Sequence, residues 1–299
     1  VVSRLPKPHT RLTTDSATFC FYLGDCVDIL ERLAPGSIDV IVTSPPYNLG
    51  IRYRSYDDTM PRNRYLAWTG EWVSQATRAM APDGSLFLNV GAKPTDPWTA
   101  IDVAQAIRPH LHLQNTIHWI KSIAIEKSLA GTNSKLADDI AVGHYKPINS
   151  RRFLHDCHEF VFHFTAGGQT PIDRQAIGVR YQDRSNIGRW QAAASGVRCR
   201  GNTWFIPYET IQSRAKDRPH PATFPPKLPE MCLRMNGLQR TRLVADPFLG
   251  LGSTAVACAQ LGLSFIGIEM DEGYLNEAVE RTRAALERPA TIARTNRRQ

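Results

Sequence analysis

Residues 242–270 read RLVADPFLGLGSTAVACAQLGLSFIGIEM. The opening LVADPF is a short apolar run that stops at Asp246-Pro247. STAVACAQLG places small and apolar residues at helical spacing and is closed by Gly262, and SFIGIEM is a second apolar run. Together they form a β–loop–α–β unit in which Gly250 and Gly252 let the backbone turn tightly against a ligand. The second strand ends on Glu269, at the distance of about 20 residues usual for an acid that grips ribose hydroxyls. The loop lacks both the G-x-G-x-x-G of dinucleotide sites and the Lys-Ser/Thr pair of triphosphate sites, so it suits a nucleoside ligand without a pyrophosphate. A tight β–α turn that binds nothing has the same spacing.

Outward from this unit the alternation continues. FCFYLGD (19–25) reads as a strand, CVDILERLAPGS (26–37) as a short helix and IDVIVT (38–43) as an inner strand. Tyr65, Trp68, Trp72, Ala76 and Ala79 recur at helical spacing up to Pro82-Asp83-Gly84. SLFLNVG and LQNTIHWIKS follow as strands, with DPWTAIDVAQAIRP as a helix between them. After residue 218 come a helix in PPKLPEMCLRMNG, the 242–270 unit and a long helix in EGYLNEAVERTRAALE. Strands alternating with helices predict an α/β fold, a doubly wound and mostly parallel Rossmann-like sheet. Between 122 and 218 the rhythm fails; one clear strand, HEFVFHFT, stands in a segment rich in Arg, Gly and Asn. The expected organisation is therefore 1–121 and 219–290 as two parts of one domain, 122–218 as an inserted irregular region, and 291–299 as a basic, frayed tail.

The net charge of +8 is unevenly placed. Residues 1–120 hold 11 basic and 11 acidic side chains, 121–218 hold 15 and 9, and 219–299 hold 10 and 8. Most of the excess thus falls in the middle third, where a docked polyanion would displace counterions. No run of 18 apolar residues occurs, and VVSRLPKPHTRL is basic without an apolar segment behind it, so neither a membrane span nor a signal peptide is expected. The six cysteines are scattered without a C-x-x-C, which fits a reducing cytoplasm better than a disulfide framework. His155-Asp156-Cys157-His158 crowds its ligands into one short segment, so no metal is expected there.

The strand IDVIVT ends in Ser44-Pro45-Pro46-Tyr47. Each proline fixes φ and removes an N–H, so their carbonyls face outward from a stiff platform. Ser44 adds a hydroxyl acceptor and Tyr47 a flat face. At the tip of an inner strand this constellation suits a planar heterocycle with an exocyclic amine, held by Ser44 and the Pro45 carbonyl and stacked on Tyr47.

T-S-P-P-Y followed much later by D-P-F-x-G-x-G-S-T resembles the permuted, β-group family of DNA amino-methyltransferases, and the likeness covers nearly the whole chain. G-D-C at 24–26, APDGSLFLNVG, QNTIHWIKS, RPHPATFPPKLP at 218–229 and FIGIE at 265–269 resemble further elements of that family in the same order. The resemblance implies S-adenosyl-L-methionine as cofactor, bound by Asp246, Pro247, Phe248, Gly250, Gly252, Ser253 and Thr254. It further implies Asp25 and Cys26 near the adenine, Glu269 and Met270 at the ribose, and His220, Pro225 and Lys227 over the methionine end. Ser44, Pro45, Pro46 and Tyr47 become the catalytic residues. Within the family Ser at the first position accompanies action on cytosine N4 and Asp action on adenine N6, so N4 is expected, with N6 as the alternative and a non-catalytic DNA-binding relative as a more distant one. Attack at cytosine C5 needs a nucleophilic cysteine after proline, and no Pro-Cys pair occurs. Relatives acting on protein or RNA amides carry Asn at the first position.

The implied partner is double-stranded DNA, with a separately acting restriction endonuclease as a further one. Monomer and homodimer are both compatible, and the implied setting is cytoplasmic and nucleoid-associated. The insertion then falls where the family places target recognition, with Arg151, Arg152, Arg198 and Arg200 as candidate DNA contacts. Arg52 and Arg54 are further candidates in a loop at 48–60 that would close over the base. Trp190 and Trp204 are expected in the core, and His158 and Glu159 as structural openers of their strand.

Overall fold

The computed structural model describes residues 5–51, 58–131, 136–143, 149–181, 196–207 and 223–288. The chain opens with β1 (Thr10–Thr13), β2 (Thr18–Leu23), α1 (Cys26–Arg32), β3 (Ile38–Thr43), α2 (Arg62–Ala79) and β4 (Met80–Val90). Next come α3 (Thr99–Ile107), β5 (His112–Ile120), β6 (Ser122–Ile125), β7 (Ile140–Gly143), β8 (His158–Thr165), β9 (Val179–Arg180), β10 (Val197–Arg198) and β11 (Thr203–Phe205). It closes with α4 (Lys227–Asn236), β12 (Leu243–Asp246), α5 (Ser253–Leu261), β13 (Ser264–Glu269) and α6 (Glu272–Glu287).

Nine strands form one sheet in the order β1-β2-β13-β12-β3-β4-β8-β5-β11. Its centre, β2 to β4, is parallel, and β8 runs antiparallel between β4 and β5. The central strands are apolar on both sides because helices cover both faces. On one face Phe19, Phe21, Phe265 and Trp204 pack with α4, α5 and α6; on the other, Ile38, Ile41, Leu86 and Leu88 pack with α1, α2 and α3. Trp204 is fully buried, its indole N–H donating to the Gly201 carbonyl at 3.1 Å. Among the described residues no helix is long and apolar enough to cross a membrane.

The mostly parallel α/β architecture agrees with the sequence reading, but the 122–218 span needs a correction. HEFVFHFT is the seventh strand of the central sheet, paired over Phe160–Thr165 with β4 and over His158–Thr165 with β5. β11 extends the same sheet at its edge. Among the described residues, the β6–β7 and β9–β10 pairs stand outside it. Two further differences are local. β1, which the basic opening segment hides, pairs with β2 at the opposite edge, and β4 begins at Met80, ahead of SLFLNVG. Trp190 and the tail from 289 onward lie outside the described residues.

Candidate active site

From β3 the chain runs through α2 to β4 on one side, and from β12 through α5 to β13 on the other. The carboxyl ends of the adjacent β3 and β12 are therefore a topological switch point, where the two connections leave a crevice open. Asp246 ties the two strand tips together. The Thr43 hydroxyl donates to its Oδ1 at 2.6 Å, the Thr254 hydroxyl to its Oδ2 at 2.7 Å, and the Phe248 N–H to Oδ1 at 3.1 Å. Burial pushes this carboxyl up to about 6, against the pull of the three donors. A carboxyl raised on folding favours the protonated native state, so its contribution is present at low pH and lost as pH climbs through about 6. Asp246→Asn removes that ionisation. Melting curves at pH 5, 6.5 and 8 are expected to show the wild type losing about 1–1.5 kcal/mol relative to the variant as pH rises. Parallel stability profiles would remove Asp246 as the titrating clamp.

The crevice is a cavity of about 360 Å³ lined by both tips. Ser44–Tyr47 and Pro247–Leu251 with Ser253 line it, together with Asp25, Cys26, Ile268–Asp271, Tyr274, Met60, Trp68, Thr223 and Phe224. Phe248 is fixed by two edge-on rings, Trp68 at 5.5 Å and Trp72 at 5.2 Å. Glu269 organises the glycine loop: its Oε2 accepts the Gly250 N–H at 2.8 Å and its Oε1 the Met270 and Asp271 N–H groups at 3.0 Å each. Burial raises this carboxyl also, while the three donors pull it down. Asp25 caps α1, its Oδ1 taking the Val27 N–H at 2.8 Å. The Cys26 thiol beside it is buried and pushed far up, so it presents a neutral surface.

The Ser44–Tyr47 ledge is held from behind. Tyr65 donates its hydroxyl to the Pro46 carbonyl at 2.8 Å, which makes the Pro45 carbonyl the candidate acceptor for an incoming amine. Beyond Tyr47 the chain wraps Asp58, whose carboxylate accepts the N–H groups of Asn48, Leu49 and Ile51 at 2.8–3.0 Å. Asn48 sits at φ 57, in the left-handed region that Asn tolerates better than most residues, and its amide donates to the Met60 carbonyl. The two ends of the 48–60 loop are thus clamped together. A Cβ at Gly91 would lie 3.0 Å from the Tyr47 ring and 3.2 Å from Glu159, so glycine there makes room for the ledge.

A polar network underlies the same ledge. Ser44 Oγ lies 2.7 Å from the Tyr47 hydroxyl, which donates to Glu159 Oε2 at 3.0 Å. Asn89 Nδ2 donates to both, at 2.6 and 2.7 Å, and Lys121 pairs with Glu159 Oε1 at 2.8 Å. Sequence reasoning placed Glu159 as a structural strand opener and did not single out Asn89 or Lys121. The antiparallel position of β8 brings them to the carboxyl edge of β4. A charged residue opening an otherwise apolar strand, and Asn89 within LFLNVG, were the available signals.

Of the expected cofactor residues, Asp25, Cys26, Pro247, Phe248, Gly250, Ser253, Glu269 and Met270 line the cavity; Pro225, Lys227, Asp246, Gly252 and Thr254 do not. Asp246 and Thr254 are buried in the strand clamp just described. Gly252 caps α5 at φ 73, where an added Cβ would lie 2.8 Å from that of Ala278. Lys227 points outward to pair with Glu230 at 2.9 Å, and Pro225 lies one residue before Pro226, the N-cap of α4. His220, Arg52 and Arg54 lie outside the described residues. Met60, Trp68, Thr223, Phe224, Asp271 and Tyr274 are wall residues that sequence reasoning missed, because helical periodicity marks Trp68 and Tyr274 only as core. Arg151, Arg152 and Arg198 are exposed, whereas Arg200 donates its Nε to the Ile177 carbonyl at 3.0 Å. No group of three His, Cys, Asp or Glu side chains converges as a metal site among the described residues.

The family model N6_N4_Mtase, described as DNA methylase, matches residues 38–280. The chain is 25% identical over 290 residues to the type II methyltransferase M.ScaI of Streptomyces caespitosus, covering 94% of this chain and 85% of that protein. It is 26% identical over 258 residues to the type II methyltransferase M.HpaI of Haemophilus parainfluenzae, covering 86% and 72%. The fold is similar to that of the PvuII DNA methyltransferase (cytosine-N4-specific), with a TM-score of 0.62 at 20% identity, covering 93% of this chain and 89% of that one. It is also similar to TTHA0409 of Thermus thermophilus complexed with S-adenosyl-L-methionine, with a TM-score of 0.56 at 20% identity, covering 89% and 94%.

Proposed function

The chain belongs to the N6/N4 DNA methylase family, and we propose that it transfers a methyl group from S-adenosylmethionine to the exocyclic N4 of a cytosine flipped out of duplex DNA. The observation that carries this reading is that Ser44–Tyr47 and the Pro247–Leu251 loop, some 200 positions apart in the chain, line one cavity. That cavity suits the cofactor. Its volume is in the range of small-molecule sites. It carries two carboxylates, Asp25 and Glu269, for a nucleoside, and aromatic surfaces, Phe248 and Trp68, of the kind that attract a cation. Glu269 accepts three N–H groups, which leaves about one further lone-pair site for a ribose hydroxyl. When bound, S-adenosylmethionine supplies an electrophilic methyl carbon on a sulfonium.

The chain's own residues do the positioning. A base inside a duplex cannot reach the cavity, so it is extruded at a cost of a few kcal/mol, and stacking on Tyr47 returns about 1–3 kcal/mol of that. Ser44 Oγ and the Pro45 carbonyl accept the two amine hydrogens and draw the nitrogen lone pair out of conjugation. Orientation of this kind lowers the barrier without a covalent intermediate. Ser at the first position, where the family's adenine enzymes carry Asp, is the feature that selects cytosine N4.

The test is incubation with methyl-labelled cofactor and mixed genomic DNA, followed by digestion to nucleosides. N4-methylcytosine is expected. N6-methyladenine would overturn the choice of base, and no labelled nucleoside from the active-cofactor incubation would overturn the activity.

DNA contact is assigned to the basic stretch before β8. Arg151 and Arg152 are exposed, and the Cys157 carbonyl that ends this segment accepts the Lys121 N–H at 2.7 Å, beside the Glu159 network. Alanine at both positions is expected to reduce the slope of log K against log salt by about 0.9 per lost phosphate contact while leaving the modified base unchanged. Binding measured at several salt concentrations checks this; an unchanged slope would place the phosphates elsewhere.

A further inference from the structure

Ser44, Tyr47 and Glu159 form a directional chain. The phenol has one proton, and with a carboxylate at 3.0 Å it donates there, since a charge-assisted hydrogen bond is the stronger option. Its oxygen then accepts from Asn89 Nδ2 at 2.6 Å and from the Ser44 hydroxyl at 2.7 Å. Ser44 has spent its only proton, so the hydroxyl turns lone pairs alone toward the cavity.

The Asn89 amide supports this polarity. Turned over, it would set its oxygen against Glu159 Oε2 at 2.7 Å, where acceptors repel. In the observed orientation its Oδ1 is buried without a hydrogen-bond partner among the described residues, a cost that the two donations offset. Lys121 balances the carboxylate from its other oxygen at 2.8 Å while its ammonium lies 5.8 Å from the centre of the Trp119 ring.

We propose that Glu159 is a positioning residue of the transfer reaction, fixing Ser44 through Tyr47 as a pure acceptor and receiving the proton that the amine sheds. The proposal rests on the methyl-transfer reading above. The nitrogen that gains a methyl group from the sulfonium carries one proton too many. Its N–H bond breaks as a bond to Ser44 Oγ forms; the Ser44 proton passes to the Tyr47 oxygen and the Tyr47 proton to Glu159 Oε2. The products are a neutral N-methyl amine, a neutral thioether and a protonated Glu159, whose side chain is 18% exposed and returns the proton to solvent. A weakly basic serine thereby acts with a carboxylate behind it, supplied by β8 rather than by the catalytic motif.

The test is single-turnover methyl transfer by the wild type, Tyr47→Phe, Glu159→Gln and the double variant, with equilibrium affinities for DNA and cofactor measured alongside. Tyr47→Phe keeps the stacking face and removes only the hydroxyl, so it also serves if Glu159→Gln folds poorly. Each single change is expected to slow transfer by about 10²-fold, the lower end for proton-transfer catalysis. The double variant is expected to be no slower than the slower single, with dissociation constants within about threefold of the wild type because neither group supplies binding to ground-state ligands. In mixtures of H2O and D2O the wild-type rate should curve with deuterium fraction, as for several moving protons, and the Tyr47→Phe rate should not. Multiplicative losses, or a loss confined to affinity or melting temperature, would overturn the relay. A wild type that methylates no DNA amine would instead remove the functional reading, so the two failures are distinguishable.

Discussion

Ser44→Ala is expected to lower the single-turnover rate of methyl transfer by about 10²–10³-fold while leaving the dissociation constants for cofactor and DNA within about threefold. The hydroxyl sits at the tip of β3 with its strongest contact at 2.7 Å to Tyr47, and no backbone group depends on it in the described structure. Its removal therefore leaves the ledge standing: the prolines keep their φ, and Tyr65 still holds the Pro46 carbonyl at 2.8 Å. What is lost is one of two acceptors that aim the amine. The Pro45 carbonyl alone does not stop rotation about the exocyclic bond, so productive orientation becomes rare. Rapid-quench measurement of labelled DNA, with binding by fluorescence anisotropy, separates the effects. A variant that transfers at the wild-type rate would remove Ser44 from the reaction.

Glu269→Ala is expected to act on binding. The carboxylate is the common acceptor for the Gly250, Met270 and Asp271 N–H groups, and without it three backbone donors at the cavity wall lose their partner. Each buried unpaired donor costs about 1–3 kcal/mol, and a ribose hydroxyl loses its acceptor as well. The dissociation constant for S-adenosylmethionine is expected to rise at least about 100-fold, equivalent to some 3 kcal/mol. The same change lowers melting temperature, because the turn between β12 and α5 keeps the Leu249 N–H to Ile268 carbonyl bond to β13 but loses the one from Gly250. Glu269→Gln separates the two roles: it retains one acceptor oxygen for part of the loop but sets N–H against N–H on the other side. An intermediate affinity is expected. Calorimetric titration of cofactor into the three proteins checks the order, and an alanine variant that binds as tightly as the wild type would place the ribose elsewhere.

Much of the fold was legible because the pieces that decide it are local. LVADPF, the glycines and SFIGIE lie within one 29-residue stretch, and the alternation of buried strand and covering helix states which faces are apolar. The ledge was legible for the same reason, since Ser-Pro-Pro-Tyr is contiguous. The network beneath it was not. Asn89, Lys121 and Glu159 come from β4, the end of β5 and β8, and they meet only because β8 runs antiparallel between the other two. Pattern alone made HEFVFHFT part of an insertion, because a strand returning into the sheet after a long irregular stretch breaks the expected alternation.

Asp246 depends on partners that are distant in the chain. Its place in the glycine motif suggests a ligand contact, yet two threonine hydroxyls and a backbone N–H enclose it, and its work is to join β3 to β12. A carboxylate ending a buried strand is ambiguous until its partners are known, and Thr43 lies 203 positions away. Lys227 likewise reads as a cofactor contact from its motif, but its place at the start of α4 turns it toward Glu230.

The central claim is that one crevice seats both the methyl donor and an extruded base between the Ser44–Tyr47 ledge and the Pro247–Leu251 loop. A crystal structure of the protein with S-adenosylhomocysteine and duplex DNA containing its target tests this most directly. The expected result is a cytosine outside the helix, stacked on Tyr47, with N4 in hydrogen-bond reach of Ser44 Oγ and the Pro45 carbonyl and the thioether sulfur facing it from the glycine loop. A target base left in the duplex, or one flipped into a site that Ser44 and Tyr47 do not touch, would contradict it.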